Sequence, residues 1–398
     1  MPDFYFYDQL KNHVAAGRLK IIAIIAPART GSTFVMNALA HSPSVHDFLN
    51  QPFHLTYTHP YTPPDNREEI AYQRIWNTYQ QAREEHNGTP ITLVIKCMAR
   101  NLGIGERLFR LLDIADSIVL LVRNPYLSID SLLRTQVATI EEMPEASQHD
   151  LNEYAVQKGI AKNSDSGEQW LALKQRILAT KEYNRIDDLL IETMAFIELN
   201  KYEGDMVTEY QRRLDNHDEY TSLAEIEAIA WTGWDNMAVI AKQHLEKMHS
   251  FSIIDSTILR CMPEPILRSL SEDMQISYSP EMAFDWQPRK VTDDEIIQST
   301  WMKHCYETVA SSSGIKPPKE SPIAPDLFPE VFQKHLKRTA YPAYVALLHS
   351  SHTIRPRGHE EIQTLLDTAV TKEGTSLREV DPIFSEALLT SERKETMQ

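Results

Sequence analysis

The chain has 398 residues, is 42% hydrophobic and carries a formal net charge of −16. That length suffices for one large hydrophobic core or two moderate ones, and so acidic a balance disfavours a nucleic-acid partner, whose phosphates must be neutralised by Lys and Arg. Cys97, Cys261 and Cys305 are odd in number and scattered, which fits neither a disulfide framework nor a zinc knuckle. No basic stretch followed by an apolar one opens the sequence, and no apolar run approaches the ~18 residues of a membrane span, so a soluble protein of a reducing cytoplasm is expected, with no membrane partner.

The organising stretch is residues 20–39, KIIAIIAPARTGSTFVMNAL. Residues 20–26 are β-branched and too few for a helix, whereas Phe34, Val35, Ala38 and Leu39 recur at helical spacing, so the stretch reads as strand, loop, helix. Arg29, Thr30, Gly31, Ser32 and Thr33 form the loop. Such a loop is an anion site, because the unpaired N–H groups of the helix start and the positive end of the macrodipole point the same way. Arg29 adds a planar bidentate donor. The plainer alternative is a strand-to-helix turn capped by Gly and Ser. A Walker A loop is not present, since Gly31 is followed by Ser32 where GK[ST] would place Lys.

Residues 41–65, rich in Pro, His and aromatics, read as a loop region beside the anion site. A polar helix is expected over 67–86, ended by Asn87 and Gly88. Residues 89–98, TPITLVIKCM, form the second strand, with Lys96 near its carboxyl end. Ligands of open α/β sheets gather outside that edge, which places Lys96 on the crevice of Arg29. A short helix over 103–113 leads to the third strand, 117–123, which ends in Arg123 where a Walker B carboxylate would be expected, so an anion bound without a metal is implied. In the following RNPYLSIDSLLRTQ, Pro125 suits a first helical turn and Ser128, Ser131 and Arg134 follow at helical spacing. A strand-end Arg and a Ser two turns along the next helix grip one phosphate from two sides.

Residues 141–248 read as mostly helical, with apolar stripes over 168–198 and over 223–248 that serve packing. Residues 250–255 are a fourth strand, followed by a helix through 265–274. A Pro-rich connector spans 316–329, and 330–398 is a helical tail without recognisable chemistry. The expected architecture is an α/β, P-loop-type parallel sheet flanked by helices, occupying 1–310 with a helical insertion over about 141–248. Residues 311–398 would form the connector and a C-terminal helical extension.

With both anion motifs placed, the chain resembles the sulfotransferase superfamily, whose members use 3′-phosphoadenylyl sulfate (PAPS). The likeness rests on APARTGST after the first strand, on VRNPYLSIDSLL with Ser131 eight residues after Arg123, and on IIDSTILRCMPEPILRSLSEDMQI as the late strand and helix. The resemblance implies that Arg29, Thr30, Gly31, Ser32 and Thr33 hold the 5′-phosphosulfate and that Arg123 with Ser131 holds the 3′-phosphate. Lys96 matches the strand-end Lys beside the transferring sulfuryl group, and Arg289 with Lys290 falls where the family has a late basic loop. No metal is implied. The departure concerns the base: the two positions where relatives carry Glu or His are Gln51 and Met98, and neither takes a proton at neutral pH. His54, three residues past Gln51, is the candidate base, with His46, Asp47 and His59 competing for the role; the alternatives are that Gln51 orients the acceptor, or that an amine or phenolate acceptor needs no strong base. The expected activity is sulfuryl transfer from PAPS to a hydroxyl or amine of a small-molecule acceptor. The alternatives are a relative that keeps the nucleotide site but performs another reaction or only binds, and, against the loop sequence, a P-loop kinase.

Overall fold

Apolar runs flanked by Gly, Pro and polar residues become parallel strands because both of their faces are covered. In the computed structural model the described residues are 4–54, 64–102, 106–141, 229–243, 251–284, 312–316, 328, 330–356, 359–368, 374–381, 385, 386 and 389. A helix α1 (Tyr5–Ala15) leads into β1 (Leu19–Ala26), in which every residue but Lys20 is buried. Then come α2 (Ser32–Ala40), β2 (Asp47–Asn50), α3 (Pro64–Glu85), β3 (Ile91–Met98), α4 (Glu106–Ile114), β4 (Ser117–Val122) and α5 (Pro125–Glu141). After them follow α6 (Trp234–Gln243), β5 (Phe251–Asp255), α7 (Ser256–Cys261) and α8 (Pro263–Asp273).

The five strands form one sheet in the order β2-β3-β1-β4-β5, parallel throughout. Helices flank it, so the α/β architecture expected from the sequence is the one observed. The chain leaves β1 towards β3 and β2, with α2 packed near both, and leaves β4 towards β5. The order therefore reverses between β1 and β4, and their carboxyl ends frame the crevice where open parallel sheets receive ligands.

Two differences from the sequence reading stand out. Residues 47–50 lie within the stretch expected to be loop, yet they pair with β3 in the register Asp47↔Leu93 to Asn50↔Lys96. This is a four-residue edge strand whose side chains are half-buried up to Asn50, so it lacks an apolar run. The stripe expected to run unbroken over 223–248 is interrupted by a turn at residues 231–233, where Gly233 has φ +76°. Ile229, Met237 and Ile240 on its two sides are still buried, as a packing stripe requires. Residues 142–228 and 244–248 of the expected insertion lie outside the described residues.

The C-terminal segment folds onto the same hydrophobic core as the sheet. Helix α9 (Glu330–His335) continues through a π-helical turn (Leu336–Ala340) into α10 (Tyr341–Leu348), which packs on α6 and β5. The chain then runs alongside β5: Ile253 donates to the His352 carbonyl at 2.9 Å, and Ile354 donates to the Ile253 carbonyl at 2.8 Å. Two further helices, α11 (His359–Asp367) and α12 (Leu377–Val380), follow, and Leu377 is buried. Among the described residues no helix is long and apolar enough to cross a membrane.

Candidate active site at the carboxyl edge of the sheet

The loop between β1 and α2 is built to present backbone N–H groups. Gly31 is the N-cap of α2 at φ +83°, and as a glycine it supplies no side-chain cap for the first turn. The helix after β5 is the contrast: Asp255 caps α7 with its own carboxylate, accepting from Thr257 N–H at 2.8 Å and Ile258 N–H at 3.1 Å. Only the first of these helix starts leaves its positive end open to an outside anion. Thr30 is buried with its hydroxyl donating to the Pro27 carbonyl at 3.0 Å, so it braces the loop from within. Ser32 is buried at the start of α2, while Gly31 and Thr33 are half-buried.

Arg29 joins this loop to the neighbouring strand. It sits in the left-handed region at φ +60°, where a residue with a Cβ is strained. Its carbonyl accepts from Arg123 Nη1 at 2.6 Å, and its own Nε donates to Ser131 Oγ at 3.3 Å. Arg29, Arg123 and Ser131, drawn from two motifs that are 94 residues apart, thus meet over the ends of β1 and β4. Arg123 is 7% exposed, and α5 carries Ser131 half-buried on its second turn.

The turn at 231–233 supports the loop from beneath. Ala28 N–H donates to the Thr232 carbonyl at 2.9 Å. A Cβ on Gly233 would lie 3.3 Å from Ala99 Cβ, 3.3 Å from Arg100 N and 3.4 Å from Pro27 Cα. Trp234, fully buried, donates its indole N–H to Ser128 Oγ at 3.4 Å and so ties this turn to α5. Asn236 donates from its side-chain amide to the Ala99 carbonyl. The sequence signal for this clamp was a Thr-Gly pair inside an otherwise helical pattern, which marks a break.

A second polar cluster lies beside the loop, over β2 and β3. Lys96 is 2% exposed and donates to Asn50 Oδ1 at 3.2 Å, its partner across the ladder. Gln51 N–H donates to the Lys96 carbonyl at 2.7 Å, and Gln51 itself is buried in the left-handed region at φ +49°. Asn101, in the turn after β3, donates to Gln51 Oε1 at 3.4 Å. The structure therefore brings Lys96 and Gln51 together through Asn50 and Asn101, two residues the sequence did not single out. Cys97 beside them is a packing residue, because burial pushes its thiol up and out of reach of a reactive thiolate.

His54 closes a short 3-10 turn (Pro52–His54) just after Gln51; its side chain lies outside the described residues, as does the whole of His59. His46 and Asp47 sit at the other end of the sheet. His46 Nδ1 accepts from Thr92 N–H at 3.0 Å and its ring meets His86 edge-on at 4.7 Å. Asp47 is paired with Leu93, three positions before Lys96 and roughly 10 Å back along the strand. Neither belongs to the crevice. Arg289 and Lys290 lie outside the described residues.

Fold and site together define an α/β protein in which two basic motifs converge outside the carboxyl edge of a parallel sheet. No family model and no curated protein matches the chain. Among solved structures the chain is similar to the sulfotransferase domain from the curacin biosynthetic pathway, at 14% identity and a TM-score of 0.33 over 87% of this chain and 95% of that one.

Proposed function

We propose that the protein is a PAPS-dependent sulfotransferase that moves a sulfuryl group to a hydroxyl or amine of a small molecule. The observation that carries this reading is Arg29, whose carbonyl is held by Arg123 and whose side chain reaches Ser131. The two motifs that resemble the superfamily's phosphate sites are thereby joined at one place. PAPS supplies an activated sulfuryl group on a bisphosphate leaving group. The first-turn N–H groups at Ser32 and Thr33, left without a side-chain cap by Gly31, suit the 5′-phosphosulfate, and Arg29 adds charge beside them. Arg123 and Ser131 hold the 3′-phosphate.

Sulfuryl transfer needs donors where charge develops on the leaving oxygen, and they act most strongly away from water. Lys96 takes that role in this reading, supported by its burial and its bond to Asn50. Gln51, fixed by Asn101 and by the Lys96 carbonyl, orients the acceptor, and His54 is the base. The test is calorimetric titration with adenosine 3′,5′-bisphosphate, followed by turnover of PAPS with a panel of alcohols, phenols and amines. Absence of bisphosphate binding at millimolar concentration removes the reading. An amide at Gln51, where relatives carry a carboxylate, favours a second reading in which the site binds the nucleotide without sulfating anything. Tight bisphosphate binding with no sulfated product from any acceptor would select it.

A further inference from the structure

The C-terminal segment reaches the residue next to Arg123 through a buried hydrogen bond. Asn124 lies between Arg123 and the first residue of α5, and it caps that helix: its Oδ1 accepts from Tyr126 N–H at 2.9 Å and its carbonyl from Ser128 N–H at 3.0 Å. An amide cap has an ambiguity that Ser or Asp lacks. Rotated by half a turn about its last bond it presents NH₂ to the helix, where two donors oppose one another. What fixes the orientation is Asp381, 257 residues away, whose Oδ2 accepts from Asn124 Nδ2 at 2.6 Å. Asp381 is 5% exposed and Asn124 8%, so water does not substitute readily for either partner. A carboxylate is an acceptor only, so it admits one rotamer of the amide and turns the other end towards α5.

We infer that Asp381 is a positioning residue for the 3′-phosphate site, acting through Asn124 on Arg123 and on the first turns of the helix that carries Ser131. The inference rests on the nucleotide reading of Arg123 and Ser131 and adds to it that residues 374–381 are part of the enzyme's binding apparatus. Asp381 is seated for the purpose: its N–H donates to the Leu377 carbonyl at 2.9 Å, Ser385 Oγ donates to its carbonyl at 2.9 Å, and Leu377 is buried in the core. When the amide is free to turn, only the fraction of molecules with α5 capped binds at full strength, and the apparent affinity falls by that fraction.

The experiment is calorimetric titration of the full chain with adenosine 3′,5′-bisphosphate. Asp381→Ala is expected to weaken binding several-fold, and Asp381→Asn, whose amide can present either end to Asn124, to recover only part of it. In an Asn124→Ser background the hydroxyl cap has no second end to orient, so adding Asp381→Ala is expected to cost nothing further, whatever Asn124→Ser costs by itself. Equal losses in both backgrounds, or no loss in either, overturn the inference and leave Asp381 a structural residue. Should Asp381→Ala not fold, the exchange Asn124→Asp with Asp381→Asn decides. It reverses the donor and keeps the cap, so it is expected to bind several-fold more tightly than Asn124→Asp alone, in which two carboxylates face each other; equal affinities overturn the inference. A wild-type chain that binds no bisphosphate overturns the nucleotide reading and this inference together.

Discussion

Replacing Asp255 by Asn should remove the loss of stability that this carboxyl causes as pH rises from about 3.8 to about 6. Asp255 is fully buried at the end of β5, caps α7, and accepts from the Tyr344 hydroxyl at 3.0 Å. Burial raises its carboxyl from 3.8 to about 6, against the N–H groups of Ile258 and Thr257 and the Tyr344 hydroxyl, which favour the charge, while the nearby Asp381 adds to the rise. The folded chain therefore holds this proton more tightly than the unfolded chain does. Stability from this group is complete below about pH 3.8 and is lost as pH rises to about 6, beyond which the loss is constant. Each tenfold change in proton affinity is worth ~1.36 kcal/mol, so the rise from 3.8 to about 6 amounts to about 3 kcal/mol. In Asp255→Asn the side-chain amide would keep an oxygen for the cap and never ionise. The assay is denaturant unfolding of both proteins at half-unit steps from about pH 3 to about pH 7.5, a range that spans the titration. The difference between variant and wild type should grow by about 3 kcal/mol in favour of the variant across that range. Taking the difference cancels other raised carboxyls such as Asp116, which burial also shifts up. Parallel stability curves for the two proteins would refute the reasoning.

Arg123→Ala should weaken bisphosphate binding by about 1.5–3 kcal/mol, the range for a hydrogen bond to a charged group, and unchanged affinity in calorimetry would move the 3′-phosphate elsewhere. Lys96→Met, which keeps most of the volume, should lower turnover with PAPS by roughly 10²- to 10³-fold, as loss of one preorganised donor does. Its bisphosphate affinity should fall far less, and an equal fall in both would make Lys96 a binding residue. Gly233→Ala should destabilise the fold by about 1–3 kcal/mol, since φ is +76° and the new Cβ would stand 3.3 Å from Ala99 and Arg100. A thermal midpoint equal to wild type would show that the turn beneath the loop between β1 and α2 is not as close-fitting as its geometry implies.

Much of the sheet could be read from the chain because β1, β3, β4 and β5 are covered on both faces and so are largely apolar. β2 escaped because an edge strand of four residues starting with Asp and ending with Asn carries no apolar run; its identity comes from pairing with β3. The meeting of Arg29 with Arg123 and Ser131 was legible, since each motif marks a strand end and the ends of adjacent parallel strands lie side by side. The partners of those residues were not. Asn50 meets Lys96 only through the ladder register, Thr232 and Gly233 reach the loop only once the turn at 231–233 is formed, and Asp381 meets Asn124 across 257 residues. A short polar side chain in an irregular segment has no period to betray it, and its role is decided wholly by what tertiary folding sets opposite.

The bond from Arg123 to the Arg29 carbonyl has a bearing on how alanine scanning of this region must be interpreted. Truncating Arg123 removes the proposed phosphate contact and, at the same stroke, the donor that holds a non-glycine residue at φ +60°. The measured penalty at 123 is thus a composite of lost recognition and a relaxed main chain, and penalties at 29 and 123 will not sum. An Arg29→Gly replacement, which tolerates that torsion unaided, separates the two contributions when combined with each change at 123.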